Sequence, residues 1–366
     1  MTPRPRRSGP PPGSAIALAA ALGACAAPEI SPRPAAAPPD AAPSADLAPA
    51  AVDLATDVDD AAPPPTYRLV AYSESWSEPL VADGHKARLA RVAPYVGVVN
   101  LAFMQPDSTY VRGGPLSTTG LRFPFDGAVL ARGIATLRAR QPATRLLVAV
   151  GGASYDRWDA FHPDAVAAFV EDFGLDGVDL DYEPADFRCT LDAARVHCDS
   201  DAQFIAVVRA MRAALPRPAL LSVAAKAGGA LGEGTFPPVG APHAGNCINV
   251  LRAEGESIDW LNVMAYNAPD GYDPAVGLAA FRRYYAGPVM MGVSVPPESW
   301  GGHRYTVAEV EALADTVRRL GGGGLMLWSL QKRPRGHFGP ENPTASAIAQ
   351  AACARLDHGD CAAPLL

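Results

Sequence analysis

The sequence lacks several features that would point to common classes of ligand. No block of Lys or Arg follows the N-terminus and the net charge is -7, so no nucleic-acid partner is expected, because such a surface would be basic. No segment after the N-terminal apolar stretch is long and apolar enough to cross a bilayer. Cysteines and histidines are not spaced as in a zinc site, and no glycine run has the spacing of a dinucleotide-binding loop. We therefore expect no metal, no cofactor and a neutral substrate.

The N-terminus has the pattern of a bacterial export signal. Three arginines among the first seven residues precede a short apolar stretch, Ala15–Leu22. The run Leu22-Gly23-Ala24-Cys25 resembles a lipobox, in which the cysteine is lipidated and becomes the first residue of the mature protein. We expect residues 1–25 to be a lipoprotein-type signal peptide with Cys25 as the lipidation site. An ordinary secretory signal with an incidental cysteine is the alternative. The protein would be a cell-envelope lipoprotein, attached to a membrane only through its lipid, or secreted.

Residues 26–66 consist mostly of Ala, Pro, Asp and Ser, without aromatic residues or a sustained period. Such a segment cannot bury enough apolar surface to fold, so we expect a disordered tether. Residues 67–366 would then form one folded domain, since a single barrel takes roughly 250 residues, and we expect it to be a monomer.

Five cysteines follow Cys25, and export makes disulfides possible. The short separations suggest that Cys189 pairs with Cys198 and that Cys353 pairs with Cys361. Cys247 would be left over, although it could replace either partner in the first pair.

From residue 67 onward, short apolar runs alternate with longer amphipathic segments. Eight runs have the character of strands: Arg68–Tyr72, Gly97–Phe103, Arg145–Val150, Gly177–Tyr182, Leu220–Ala225, Trp260–Ala265, Val289–Val293 and Leu325–Ser329. Helical patterns lie between them, at Asp164–Phe173, Asp201–Leu215 and Val307–Leu320, the last preceded by a capping box at Thr306 and Glu309. Eight alternating units predict an α/β fold, a (β/α)8 TIM barrel. An open doubly wound sheet, the competitor, would normally show fewer units.

Acidic residues follow one face of the fourth predicted strand. Side chains alternate faces along a strand, so Asp179, Asp181 and Glu183 share one face, which in a barrel is the interior. Like charges this close cannot all stay ionised, and a purely structural strand would carry Val or Ile there. Asp176 has the opposite parity and is expected to bond backbone groups at the start of the strand. Glu74 is expected in a loop without a role.

The run Asp176-x-x-Asp179-x-Asp181-x-Glu183 resembles the DxxDxDxE signature on the fourth strand of glycoside hydrolase family 18. Four other segments are similar to that family's strands: Asn100–Phe103, Val148–Gly152 with Ala149 where Ser is usual, Met264-Ala265-Tyr266-Asn267 with Asn267 where Asp is usual, and Trp328. The resemblance covers essentially residues 67–340. It implies a (β/α)8 barrel with chitinase or endo-β-N-acetylglucosaminidase activity.

The resemblance also implies catalytic roles. Glu183 would be the general acid that protonates the glycosidic oxygen. Asp181 would orient the acetamido nitrogen and stabilise positive charge, and Asp179 would hold Asp181 through a shared proton. The substrate's own 2-acetamido oxygen would be the nucleophile, and Tyr266 would donate its hydroxyl to that oxygen.

Further residues would bind the sugar. Trp328 would form the floor under the sugar on the non-reducing side of the scissile bond, Met264 would line the acetamido pocket, and Asn267 would bond sugar hydroxyls. The remaining substrate-binding candidates are Tyr72, Phe103, Gly151 and Gly152, with Trp76 beside Tyr72.

The segment Val295–Gly322 has room for one helix and not for the α+β insertion that makes deep tunnels in this family. A shallow, open cleft is therefore expected, which suits endo-hydrolysis of β-1,4 linkages in chitin or chitooligosaccharides. Three alternatives remain open: an endo-β-N-acetylglucosaminidase acting on the N-glycan core, a hydrolase of cell-wall glycan, and a chitinase-like lectin that binds without cleaving.

Overall fold

The computed structural model describes residues 68–184, 188–238, 240, 243–268, 271–298 and 303–366. The predicted signal peptide, the predicted tether and the lipidation site Cys25 lie outside these residues.

Eight parallel strands close into a barrel. They are β1 Arg68–Glu74, β2 Val98–Met104, β3 Arg145–Gly151, β4 Gly177–Asp181, β7 Leu220–Lys226, β8 Trp260–Met264, β9 Val289–Ser294 and β10 Gly324–Trp328. A separate antiparallel hairpin consists of β5 Cys189–Asp192 and β6 Arg195–Cys198. The order around the barrel is β1-β10-β9-β8-β7-β4-β3-β2. The predicted (β/α)8 barrel is confirmed, with every barrel strand at its predicted place to within two residues. The strands are continuous apolar runs because both faces of a parallel sheet are covered.

Seven α-helices in the described part of the chain cover the barrel: α1 Gly127–Arg140, α2 Pro163–Asp172, α3 Asp201–Ala214, α4 Ile248–Glu254, α5 Pro274–Tyr284, α6 Val307–Arg319 and α7 Ala345–Leu356. Helix α6 begins with the predicted capping box, in which the Thr306 hydroxyl and the Glu309 side chain each bond the other's backbone N–H. Short 3-10 turns replace an α-helix between β1 and β2. None of the helices in the described ranges is long and apolar enough to cross a bilayer.

Strand β4 is fixed at its lower end by Asp176. The Asp176 carboxylate accepts hydrogen bonds from the Leu146 backbone N–H (2.8 Å) and from Arg138 (2.9 Å) and Arg145 (3.0 Å). Its backbone N–H donates to the Leu146 carbonyl (2.7 Å). This is the backbone-bonding role that the parity of Asp176 predicts.

The two faces of β4 are also as predicted. The Tyr182 hydroxyl donates to Gln203 on α3 (2.6 Å), and the Tyr182 ring stacks on Phe204 of the same helix, with centroids 4.3 Å apart. Tyr182 therefore belongs to the helix-facing set, which leaves the three acids of opposite parity for the barrel interior.

Two disulfides join Cys189 to Cys198 and Cys353 to Cys361, as the sequence separations suggest. The first closes the β5–β6 hairpin, and the second ties α7 to the C-terminal segment that follows it. Cys247 is a free, buried thiol. Desolvation raises its pKa to about 12.

The connection between β9 and β10 contains one helix, α6, among its described residues. The mouth of the barrel is therefore not extended by an inserted α+β domain at this position, in agreement with the length of the segment.

Candidate active site

Asp179 lies at the bottom of the site, inside the barrel, and is completely buried. Its carboxylate accepts hydrogen bonds from Tyr72 (2.6 Å), Ser222 (2.6 Å) and Asn262 (2.9 Å). These three donors come from β1, β7 and β8, and Ser222 is the register partner of Asp179 on the neighbouring strand. Desolvation raises the pKa of Asp179, and the three hydrogen bonds oppose that rise.

Asp181 is one step higher on the same face and is also buried. Desolvation raises its pKa well above the ordinary value, with further increases from the charges of Glu183 and Asp179, while the charge of Lys226 lowers it. Asp181 shares a side-chain hydrogen bond with Glu183. The sequence-based expectation placed the shared proton between Asp179 and Asp181. Asp179 accepts three other hydrogen bonds in this structure, and the proton shared between Asp179 and Asp181 stays a prediction.

Glu183 follows the end of β4 at the mouth of the barrel. Its side chain is 14% exposed and its Oε2 atom contacts the ammonium nitrogen of Lys226, which is 26% exposed. Lys226 is the last residue of β7, the strand that pairs with β4. The acid is thus held between Asp181 on one side and Lys226 on the other.

Tyr266 lies just beyond β8 and faces the acids. Burial raises the pKa of its hydroxyl well above the ordinary value, and the charges of Asp181, Glu183 and Asp179 raise it further. The hydroxyl therefore stays protonated over the working pH range and is available as a donor.

Asn267 has a left-handed backbone, with φ of 51°. Its backbone N–H donates to the carboxylate of Glu298, which is buried. The left-handed region is tolerated by Asn better than by most residues, so the amide side chain fits this turn. A carboxylate still lies near the site although the usual Asp is absent, because Glu298 supplies one.

Three aromatic rings, from β2, from β10 and from the turn that follows β1, form a cluster at one side of the mouth. Phe103 and Trp328 stack with centroids 5.5 Å apart, and Trp76 stacks on Phe103 at 6.3 Å. Trp76 is 45% exposed, so it offers an apolar face to solvent. Such faces suit sugar rings, whose C–H surfaces are apolar.

Gly151 ends β3 and Gly152 follows it, with φ of 100° and 74°. A Cβ on Gly151 would lie 2.2 Å from the Asp181 carbonyl oxygen, and one on Gly152 would lie 2.8 Å from the Phe103 ring. The Gly152 N–H donates to that same carbonyl (2.8 Å). The two glycines thus let β3 turn closely around the backbone of Asp181.

A cavity of about 450 Å³ opens above these residues. It is lined by several predicted site residues, namely Phe103, Asp181, Glu183, Met264, Tyr266, Asn267 and Trp328. Four others lie outside its lining. Asp179 and Tyr72 lie beneath it, with Tyr72 bonded to Asp179, and Gly151 and Gly152 lie behind Asp181. Among the described residues, no group of His, Cys, Asp and Glu is arranged to hold a metal ion.

Lys226 and Glu74 are two residues whose place in the site was missed from the sequence. Glu74 is not in a loop: it is the last residue of β1, buried, and accepts a hydrogen bond from Ser329 beside Trp328. The strand was predicted from its apolar residues, and the polar residues around Glu74 do not continue that pattern to the end of β1. Lys226 had one visible signal, because it is one of only three lysines in a chain with 31 Lys and Arg residues.

The profile of "Glycosyl hydrolases family 18" matches residues 68–281. Among curated proteins, no relative matches the sequence.

Similar solved structures share the barrel at low sequence identity. A GH18 chitinase from Pseudoalteromonas aurantia is 21% identical, with a TM-score of 0.50 over 72% of this chain and 94% of that one. A family GH18 chitinase from Chromobacterium violaceum is 14% identical, with a TM-score of 0.55 over 80% of this chain and 84% of that one. Human YKL-39, described as a pseudo-chitinase with retained chitooligosaccharide binding, is 12% identical, with a TM-score of 0.54 over 80% of this chain and all (100%) of that one.

Proposed function

Because this protein belongs to glycosyl hydrolases family 18, we propose that it is a retaining glycosidase acting on N-acetylglucosamine polymers. It cleaves internal β-1,4 linkages of the polysaccharide. One observation carries this proposal. Asp179, Asp181 and Glu183 rise along one interior face of β4 to a cavity that Tyr266 also lines. The arrangement supplies a proton donor, a buried counter-charge and a hydroxyl donor in one place.

The proposed first step breaks the glycosidic bond. The carbonyl oxygen of the substrate's 2-acetamido group attacks the anomeric carbon, and the bond from that carbon to the leaving oxygen breaks. The leaving oxygen takes the electron pair and receives a proton from Glu183. The product of this step is a cyclic oxazolinium ion, so no second carboxylate attacks the sugar.

Asp181 and Tyr266 act on the acetamido group. The Tyr266 hydroxyl donates to the acetamido oxygen and holds it below the anomeric carbon. The Asp181 carboxylate accepts the acetamido N–H and offsets the positive charge that develops on the ring. Asp181 must be ionised for this, so the proton that it shares with Glu183 moves to Glu183 when the substrate is bound.

Asp179, which lies beneath Asp181 in the barrel, supports this proton transfer between Asp181 and Glu183. Its three hydrogen-bond donors stabilise a negative charge in the barrel interior. That charge raises the pKa of Asp181, so Asp181 keeps the shared proton until the substrate's N–H arrives. The carboxylates titrate as a coupled set rather than one by one.

The second step restores the enzyme. Water attacks the anomeric carbon from the face that the leaving group vacated, and Glu183, now a carboxylate, takes a proton from that water. The bond between the anomeric carbon and the acetamido oxygen breaks, and the acetamide is regenerated. Two inversions at the anomeric carbon give net retention.

The open mouth of the barrel supports cleavage at internal linkages. The single helix between β9 and β10 and the exposed face of Trp76 leave the cavity accessible along the surface. The human neighbour is described as a pseudo-chitinase that retains chitooligosaccharide binding. The presence of Glu183 in contact with the cavity favours an active enzyme.

We expect Glu183→Gln to lower kcat on a chromogenic chitobioside by roughly 10²- to 10⁴-fold, the usual contribution of a general acid. Glu311→Gln is the matched control, since Glu311 makes a surface ion pair with Arg355 on the outer helices and should keep wild-type turnover. A thiazoline analogue of the oxazolinium ion should inhibit the wild type competitively.

Chitotetraose, a high-mannose glycopeptide and a purified cell-wall glycan, assayed side by side by mass spectrometry, separate the possible substrates. Cleavage of the glycopeptide alone would make the protein an endo-β-N-acetylglucosaminidase, and cleavage of the cell-wall glycan alone would make it an envelope hydrolase. Binding of chitotetraose without turnover would make it a lectin. Full activity of Glu183→Gln would refute the mechanism.

A further inference from the structure

Lys226 places a cationic group directly beside the acids of the site. Its ammonium contacts Glu183 Oε2, and it lines the same cavity as Asp181 and Tyr266. The proposed hydrolysis does not use it. A lysine ammonium has three N–H donors, and the described residues supply one acceptor to it, the Glu183 carboxylate. Because Lys226 lines the cavity, its ammonium is placed to donate to a ligand there.

The position of Lys226 identifies the side of the cleft that it serves. The aromatic cluster of Trp76, Phe103 and Trp328 comes from the β1, β2 and β10 side of the barrel, whereas Lys226 ends β7 and pairs across to Met264 on β8. Glu183 protonates the oxygen of the departing sugar, and Lys226 touches Glu183 on the side away from the aromatic cluster. The ammonium thus lies on the side of Glu183 where the proposed mechanism puts the departing sugar.

The contact also occupies the acid. Glu183 Oε2 lies against the ammonium of Lys226, whereas the proposed first step requires Glu183 to give a proton to the glycosidic oxygen.

We propose that Lys226 is a positioning residue whose ammonium holds the Glu183 side chain and then exchanges it for a hydroxyl or amide oxygen of the leaving-group sugar. When the sugar accepts the ammonium's hydrogen bonds, Glu183 is freed to take the proton from Asp181 and pass it to the glycosidic oxygen. This inference rests on the proposed function and adds to it a preference for a leaving group that carries a hydroxyl or amide oxygen.

Several other titratable groups face Lys226 and share its electrostatic environment. Asp181 and Glu183 come from β4, His243 from the loop after β7, Cys247 from the start of α4, and Tyr266 from the end of β8. Burial lowers the pKa of His243, and the charge of Lys226 lowers it further. Cys247 is too strongly desolvated to ionise near neutral pH. A change at Lys226 should therefore shift the pH dependence that comes from the two carboxyl groups, Asp181 and Glu183.

The test is Lys226→Met, compared with Lys226→Arg and with Lys332→Met. Lys332 follows β10, donates to Ser294 and the Pro297 carbonyl, and does not contact Glu183, so its replacement makes the same change of charge elsewhere on the same end of the barrel.

In Lys226→Met the alkaline limb of kcat/KM should move up by roughly one pH unit, the smallest effect typical of an opposite charge beside a carboxylate. KM for chitotetraose should rise roughly tenfold, as expected for the loss of a charge-assisted hydrogen bond. KM for an aryl chitobioside, whose leaving group has no such oxygens, should change little. Lys226→Arg should largely restore both properties.

Calorimetric binding of chitotetraose and chitobiose keeps the inference separate from turnover. If the wild type binds but does not hydrolyse, the proposed function fails, and the weaker binding of chitotetraose by Lys226→Met remains the test of Lys226. An unchanged pH profile together with an unchanged ratio of tetraose to aryl-glycoside KM would overturn the role in an active enzyme. Equal affinity of wild type and Lys226→Met for chitotetraose would overturn it in an inactive one. A lowered melting temperature alone, without either change, would show that the ion pair only supports the fold.

Discussion

The hydrogen bond from Tyr72 to Asp179 offers a direct measure of the buried charge beneath the site. Tyr72→Phe removes one hydroxyl and leaves the ring contacts with Phe103 and Trp328 in place. The bond is 2.6 Å long and both partners are buried. A hydrogen bond to a charged group contributes about 1.5–3 kcal/mol, so the free energy of unfolding should fall by about that amount at neutral pH. Ser222 and Asn262 still donate to Asp179, which places the expected loss toward the lower end.

The loss should depend on pH with a defined sign. The folded-state pKa of Asp179 is raised, so the stability that this group contributes is fully present at pH values below its unfolded pKa and is lost as pH rises through its folded pKa. Removing the Tyr72 hydroxyl takes away a bond that lowers this pKa, so the folded-state pKa rises further. The difference in stability between wild type and variant should therefore be small in acid and grow toward neutral pH.

Urea unfolding followed by tryptophan fluorescence measures this difference at about pH 3.5, which is below the ordinary pKa of an Asp side chain, and at about pH 8. Tyr285→Phe is the matched control, since the Tyr285 hydroxyl is also buried but donates to the uncharged Ile258 carbonyl (3.0 Å). Tyr285→Phe should lower the free energy of unfolding by about 1 kcal/mol, and this difference should vary less with pH. A Tyr72→Phe variant as stable as wild type at the higher pH, or destabilised equally at both, would refute the assignment of a buried negative charge to Asp179.

Two further predictions concern the cavity and the thiol. Trp328→Ala should raise KM for chitotetraose at least tenfold, the order expected from removing a large aromatic contact surface, while Leu80→Ala, an exposed position outside the cavity lining, should leave KM unchanged. A normal KM in Trp328→Ala would exclude it as the floor of the sugar site. Cys247 should resist iodoacetamide in the native protein, because its pKa of about 12 leaves little thiolate near neutral pH, and should react in urea; peptide mapping that finds it alkylated without denaturant would contradict its burial.

The interior face of β4 could be predicted from the sequence because side-chain alternation is a local property. Asp179, Asp181 and Glu183 differ by two positions, and any strand places them together. The eight strands were found for a related reason, since each is a buried apolar run between amphipathic segments. Their ends were less certain: β1 extends two residues past the predicted end, so that Glu74 is inside the strand rather than in a loop.

The partners of the acids could not be predicted in the same way. Lys226 is 43 residues from Glu183 in the sequence, and only the pairing of β4 with β7 brings them together. A lysine at the end of a strand usually reaches solvent, so its position gave no indication of contact with the acid. The donors to Asp179 pose the same difficulty, because Tyr72, Ser222 and Asn262 come from three different strands. Tyr72 was expected in the cleft as a sugar-binding residue, but closure of the barrel places it below the cavity floor.

The cluster of Asp176, Arg138 and Arg145 at the opposite end of β4 bears on how reliably the chain folds into an active form. Strand pairing has a failure mode in which one strand slips by a single residue, and such a slip exchanges its two faces. In β4 it would turn Val178 and Leu180 into the barrel and point the acids at the helices. The Asp176 carboxylate holds the Leu146 N–H and thereby ties β4 to one residue of β3. The Asp176 carboxylate, at the end of the strand remote from the cavity, thus disfavours a slipped register. A barrel with that register could still close and pack, but its interior would lack the three acids.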